Sequence, residues 1–144
     1  MTDLVAFLLA RLDEDQAIAL GVSIGPRKPE LWIAKLWPFG KAPRNWAVDC
    51  PFGAVVVDGA FEASAAHIAR HNPARVLAEI AAKRAIIDAH PNVNDGDCGT
   101  CVRAGWGYPT HGGSTIEHWP CPTLRLLAAP FADHEDFDPA WSTT

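Results

Sequence analysis

The residues of this chain best suited to chemistry are Cys98 and Cys101 in Cys98-Gly99-Thr100-Cys101, then Cys121 at the end of His118-Trp119-Pro120-Cys121. A C-x-x-C turn brings two sulfurs to one ion without strain. A third thiolate and one imidazole would complete the soft tetrahedral donor set that zinc takes in structural sites. Two histidines compete for the fourth place. His118 stands three residues before Cys121, as in the second half of a zinc ribbon with one Cys replaced by His; His90 stands eight residues before Cys98, at the end of a predicted helix. Spacing makes His118 the natural choice and His90 its rival. It also leaves open unligated thiols, or a C-x-x-C redox pair, although the βαβ context of a thioredoxin-type motif is missing.

The other constellations are weaker. His67 and His71, at i and i+4, share one helical face, but Ile68 stands where a metalloprotease helix H-E-x-x-H carries its catalytic Glu. Packing near a hairpin, with His71 preceding a helix cap, is the plainer expectation. Pro120-Cys121 begins like the P-C-x-x-C of the zinc deaminases, yet Leu124 replaces the second Cys and no H-x-E lies upstream. Asp88, Asp95 and Asp97 could serve a catalytic metal, and His134-Glu135-Asp136 could form a carboxylate–histidine pair. Three thiolates around one ion more often signify a closed structural site. Arg70, Arg75, Lys83 and Arg84 could gather anions but more commonly solvate a helix. There is no Gly-rich phosphate loop and no nucleophile elbow.

The elements that must position these residues follow from periodicity. Thr2 is expected to cap a helix running to about Leu20, with Leu4, Val5, Leu8, Leu9 and Leu12 inward and Arg11, Asp13, Glu14 and Asp15 outward. Residues 21–45 are punctuated by Gly25-Pro26, Pro29, Pro38, Gly40 and Pro43, so only short pieces are expected there. Within them, residues 31–37 are ambiguous between a strand and a helical turn. Residues 46–49 and 54–58 flank Cys50-Pro51-Phe52-Gly53 and predict a β-hairpin. Residues 61–71 have helical composition. Asn72 and Pro73 then suit the N-cap and first position of a helix reaching about His90, with Val76, Leu77, Ile80 and Ile87 on one face and Glu79 four residues before Lys83.

Residues 91–120 contain six glycines and little periodicity, a length that needs something to hold it. A bound metal would do so. Pro122 opens a last helix, Thr123 to Ala129, with Leu124, Leu127 and Ala128 inward, and Pro130 ends it. The tail, with Phe131, Phe137 and Trp141 among acids, is expected to wrap over the surface. The sum is an α+β fold: one small zinc-stabilised domain over residues 1–144, with an N-terminal helix, a β-hairpin, a long central helix, a stapled loop and a short C-terminal helix.

Composition sets the class. With 49% hydrophobic and 20% charged residues in 144, the chain can bury one real core. A formal charge of −5 is the wrong sign for affinity built on phosphate neutralisation, so nucleic acid is not the expected partner. The N-terminal apolar run is short and begins beside Asp3, which predicts neither an export signal nor a membrane span, and hence a cytoplasmic protein with reduced thiols. That favours metal over disulfides. Trp32, Trp37, Trp46, Trp106, Trp119 and Trp141 all fall outside the predicted helices and are candidates for a surface that meets another protein.

Three stretches resemble an uncharacterised domain family found in actinobacteria and their phages: residues 67–77, Lys83-Arg84, and residues 121–128 with Phe131-Ala132-Asp133-His134. The likeness runs from the opening helix to Trp141 and is most specific in the second half. Family members usually carry Asp in place of Asn72 and Tyr in place of Phe131 and Phe137. In the family pattern a histidine closes the long helix, which implies His90 as a ligand; His118 is not part of it. The resemblance implies an architecture and an origin, in a phage or its host, with assembly into a phage particle as the alternative to the cytoplasm, and no reaction. The expected function is that of an accessory or protein-binding module with structural zinc; a metal-dependent hydrolase and a virion component are the alternatives.

Overall fold

The computed structural model describes residues 3–22, 31–50, 54–103 and 115–142. Four helices and two three-stranded antiparallel sheets make an α+β architecture. In chain order the elements are α1 (Leu4–Gly21), β1 (Ile33–Lys41), β2 (Arg44–Asp49), β3 (Val55–Ala60), α2 (Glu62–Arg70), α3 (Pro73–Asp88), β4 (Asn92–Val93), β5 (Asp97–Arg103), β6 (Thr115–His118) and α4 (Pro122–Ala128). Within residues 1–144, backbone contacts group into two compact units: a terminal unit of residues 1–13 and 81–144, and a central unit of residues 14–80.

In the central unit β1, β2 and β3 form a meander, with Ile33 opposite Asp49 and Trp46 opposite Ala60. The hairpin expected from residues 46–49 and 54–58 is the β2–β3 pair. The ambiguous stretch before it is a strand, and at nine residues it is longer than the prolines of 21–45 allow one to expect. The reason is position. Pro38 lies on an edge strand inside a register shift between Leu36 and Lys41, where a missing N–H costs little. Gly40 lets the two strands close on each other, since a Cβ there would lie 2.7 Å from the Asn45 Cα. Helix α2 packs on β1 and β2 and buries Ala65 among Ala47 and Val48 of the same unit's core.

Two polar details hold this unit. Lys35 forms an ion pair with Oδ2 of the buried Asp49, whose Oδ1 has no hydrogen-bond partner among the described residues. Asn72 caps α3 as expected, its Oδ1 accepting from the Arg75 N–H at 3.0 Å, while its Nδ2 donates to the Ala69 carbonyl. Glu79 meets Arg75 one turn earlier, at 2.7 Å.

The terminal unit buries Leu4, Phe7, Leu8 and Leu12 of α1 together with Ile87, Leu124, Ala128 and Trp141. Thr2 lies outside the described residues; Asp3 supplies the cap, its carboxylate accepting from the Val5 N–H at 3.0 Å. The tail turns inward instead of lying over the surface. Phe131, His134, Phe137 and Trp141 surround the Phe7 ring with centroids 5.1–6.3 Å away. Arg11, expected to face solvent, is buried, its guanidinium bonded to the His134 ring and 5.2 Å from the centre of the Phe7 ring. A helical wheel places an arginine by its charge, whereas its aliphatic stem packs as readily as a leucine.

The glycine-rich stretch is also more regular than its composition predicts. Asn92 pairs with Cys98 and Val93 with Asp97, then Val102 pairs with Ile116 across to β6. Asn94 and Asp95 take left-handed conformations in the β4–β5 turn and Gly96 has a φ of 148°, so this tight turn is what the Asn-Asp-Gly sequence encodes. Trp37 and Trp46 lie in strands, Trp141 in a terminal 3-10 turn, and Trp106 outside the described residues.

Candidate metal centre

Three elements of the terminal unit converge on the cysteines. α3 ends at Asp88 and delivers His90 two residues later, β5 carries Cys98 and Cys101 on one C-x-x-C turn, and Cys121 is the residue immediately before α4. His90, Cys101 and Cys121 present ligand atoms that all lie within 4.8 Å of one another, close enough to bind one metal ion. Cys98, the third expected thiol, is not one of that group; it lies buried on the same turn, its sulfur beside the Cys101 backbone. All four cysteines of the chain are unbridged, and Cys98 and Cys121 are buried. The fourth, Cys50, lies in the central unit.

Hydrogen bonds set the ligands before any ion arrives. The His90 Nδ1 lies 2.6 Å from the Ile86 carbonyl; because a carbonyl only accepts, the proton sits on Nδ1 and the lone pair is left on Nε2. A backbone carbonyl in this role is the usual support of a metal-bound imidazole. The Cys98 sulfur accepts from the backbone N–H of Cys101 at 3.4 Å and from that of Thr100. Burial alone would push this thiol up. The two N–H groups, with the Cys121 and Cys101 thiols, outweigh it and hold Cys98 below the ordinary thiol value. Cys101 is pushed up to about 11, first by burial and then by its neighbours Cys121 and Cys98, against the lowering effect of the Thr123 hydroxyl. Thiolate is the form that binds a metal, so a lowered thiol favours a cation at this turn.

The turn is anchored to the end of α3 at several points. Thr100 Oγ1 donates to the Ala89 carbonyl, the Gly99 N–H donates to the Pro91 carbonyl at 2.9 Å, and Trp119 Nε1 donates to the His90 carbonyl at 3.3 Å. Gly99 has to be glycine, since a Cβ would sit 2.9 Å from the Pro91 ring. These supporting residues, Thr100, Thr123, Gly99 and Trp119, are not singled out by ligand spacing. The one hint is that three of them, Gly99, Thr100 and Thr123, lie within or beside the cysteine words, in C-G-T-C and C-P-T.

The remaining candidates lie elsewhere. His118 closes β6 with its side chain 90% exposed and its Nδ1 3.8 Å from the Asp97 carboxylate. Asp88, Asp95 and Asp97 belong to no group of three or more potential ligands among the described residues. His67 and His71 stack on each other in the central unit, ring centroids 4.5 Å apart. His134 accepts from the Asp136 N–H and bonds to Arg11, a packing role in the aromatic cluster.

No helix among the described residues is long and apolar enough to cross a membrane. No curated protein and no solved structure matches the chain. A family model does, over residues 1–143, and on that match the chain belongs to a family of unknown function, DUF6221.

Proposed function

We propose that this protein is a zinc-stapled binding module that works through contacts with another protein. The donor chemistry supports zinc: three thiols and one imidazole with its proton held away from the site suit a d¹⁰ ion in a closed tetrahedral site. Cys98, Cys101, Cys121 and His90 would hold it, and the ion would supply a cross-link joining the end of α3, β5 and the start of α4. Four protein donors leave no position for water or substrate, which favours a staple over the metal-dependent hydrolase.

The observation that carries the binding role is the distribution of apolar surface. Nine large hydrophobic residues among the described part of the central unit are more than a third exposed, including Leu31, Ile33, Leu36 and Phe39. A single exposed Leu needs no explanation, but several neighbouring ones mark an interaction face. The setting is a reducing one, where unbridged thiols persist. The resemblance noted in residues 67–77 and 121–134 adds an actinobacterium, or one of its phages, as origin.

Elemental analysis of the purified protein tests the staple. One zinc per chain is expected, and a cobalt-substituted sample should show thiolate charge-transfer and tetrahedral d–d bands that added azide leaves unchanged. Azide-sensitive bands would turn the reading towards the hydrolase. Metal-free protein of equal stability would remove the staple altogether.

A further inference from the structure

We propose that His67 and His71 form a second metal site, in the central unit, which seats a divalent late transition ion of square or tetragonal geometry, Cu²⁺ or Ni²⁺, between two imidazoles. It goes beyond the zinc-stapled module, since it uses neither the cysteines nor the unit that carries them. Both residues lie at the C-terminal end of α2, His67 in its last turn and His71 as its C-cap. Four residues apart, they stand one above the other on one face of the helix. Ala65, which α2 buries, precedes His67 by two residues and so lies on the opposite side; both histidines are exposed.

The spacing of the rings is that of a chelate. Their centres are 4.5 Å apart and their planes are tilted by 47°. Two imidazoles bound to one ion through nitrogens at about 2.0–2.1 Å place their ring centres about 4.5 Å apart at a right angle and about 5.2 Å apart at the tetrahedral angle. The observed distance fits the right angle, which Cu²⁺ and Ni²⁺ favour and tetrahedral zinc does not. The nitrogens are also uncommitted. Among the described residues His90 is tied to the Ile86 carbonyl, His118 to Asp97 and His134 to Arg11, whereas the rings of His67 and His71 have no hydrogen bond or ion pair.

There is room for the rest of a coordination shell. A hollow of about 230 Å³ opens beside the pair, lined by Ala63, Ala66, His67, Arg70 and His71. The carbonyl end of α2 favours a cation there. Arg70 opposes a bare dication, so the open positions suit hydroxide, chloride or a carboxylate better than a neutral ligand. A phosphate held by Arg70 and the histidines fits less well: it would face the carbonyl end of α2 and require two stacked rings to be charged together.

The test titrates Ni²⁺ into the purified full chain, with zinc measured before and after and the histidine rings followed by NMR. Ni²⁺ serves as the probe because Cu²⁺ also oxidises thiols. One Ni²⁺ per chain should bind, broaden the rings of His67 and His71 alone and displace no zinc, and excess Mg²⁺ should not compete. His71→Ala, with unchanged circular dichroism, should weaken Ni²⁺ roughly tenfold or more by removing the second bond of the chelate. Ala66→His combined with His71→Ala keeps two histidines but not on one face, and should not restore affinity. His118→Ala should leave it unchanged. The site is overturned if no Ni²⁺ binds, if His71→Ala binds it as tightly, if other rings broaden instead, or if Ni²⁺ enters only by displacing zinc. Inorganic phosphate binding there in place of nickel would overturn it too. A chain purified without zinc that still takes Ni²⁺ at His67 and His71 would overturn the staple and leave this site standing.

Discussion

The terminal and central units are both small, and they differ in where their large apolar side chains go. In the terminal unit Leu4, Phe7, Leu8, Leu12, Leu124 and Trp141 are inside, and two of its buried positions are cysteines. In the central unit the fully buried residues are small, Ala47, Val48 and Ala65, while Leu31, Ile33, Leu36 and Phe39 are outside. The sheets differ in the opposite sense: among the described residues the terminal unit has strands of two, seven and four residues, the central unit strands of nine, six and six. A unit with so little ladder needs a cross-link, and a cysteine cluster provides the ligands for one. A unit with a longer ladder holds its strands without one. Burial thus divides the two: among the described residues one encloses its large side chains beside a candidate metal cluster, and the other exposes many of its own.

Removing the metal is the most severe way to challenge that division. Cys121→Ser, or treatment with a zinc chelator, should abolish amide protection over residues 92–103 and 115–128, with a loss of several kcal/mol, since structural zinc is folding free energy. Protection over 33–49 and 55–60 should persist. Hydrogen exchange read by mass spectrometry separates the outcomes, and equal loss in both units would collapse the comparison.

Leu124→Ala probes the same unit without touching a ligand. Leu124 is fully buried on α4, three residues after Cys121. Truncation should cost about 2.7–5 kcal/mol by the lost transfer energy and the cavity left behind. Denaturant unfolding of the zinc-loaded protein measures it. A cost under about 1 kcal/mol would mean that the metal alone, and not the α4 contact, holds this end of the chain.

How much of this was legible in the sequence depends on the range of the interaction. Local signals served well: Asn72-Pro73 marks the start of α3, Pro122 the start of α4, and alternation with turn residues marks the β2–β3 pair. The cysteine spacing brought Cys98, Cys101 and Cys121 into view because a C-x-x-C turn is itself local. Which histidine lies beside them was not local. That depends on where α3 stops and how Trp119 and Gly99 dock on its last turn, which is why spacing favoured His118 over His90, the histidine that the structure places beside Cys101 and Cys121. Arg11 and the acidic tail were misjudged for the same reason: a charge reads as surface until the aromatic partners that enclose it, here Phe7 and His134, are known. The strands of the glycine-rich stretch were hidden because their pairing, Val102 with Ile116, spans residues with no periodicity of their own.

The central unit offers a smaller test through its buried carboxylate. Asp49 is held through Oδ2 by Lys35, which is about half exposed, and its Oδ1 has no hydrogen-bond partner among the described residues. Lys35→Met should cost about 1–3 kcal/mol by leaving a buried acceptor unsatisfied. The loss should appear in protection of β1 and β2 and leave zinc content unchanged. If zinc were lost as well, the two units would be energetically one.

The mildest perturbation sharpens the comparison most, because it acts on a local feature of the central unit. Asn72 satisfies two backbone groups at once, accepting from Arg75 and donating to Ala69. It therefore joins the end of α2 to the start of α3, both within residues 14–80. Asn72→Ala should cost about 1 kcal/mol, whereas Asn72→Asp, which keeps the acceptor and loses the donor, should cost less. Denaturation midpoints at constant m-value give both numbers. If Asp proves as harmful as Ala, the bond to Ala69 outweighs the cap, and the junction of α2 with α3 holds this unit more firmly than the start of α3 does.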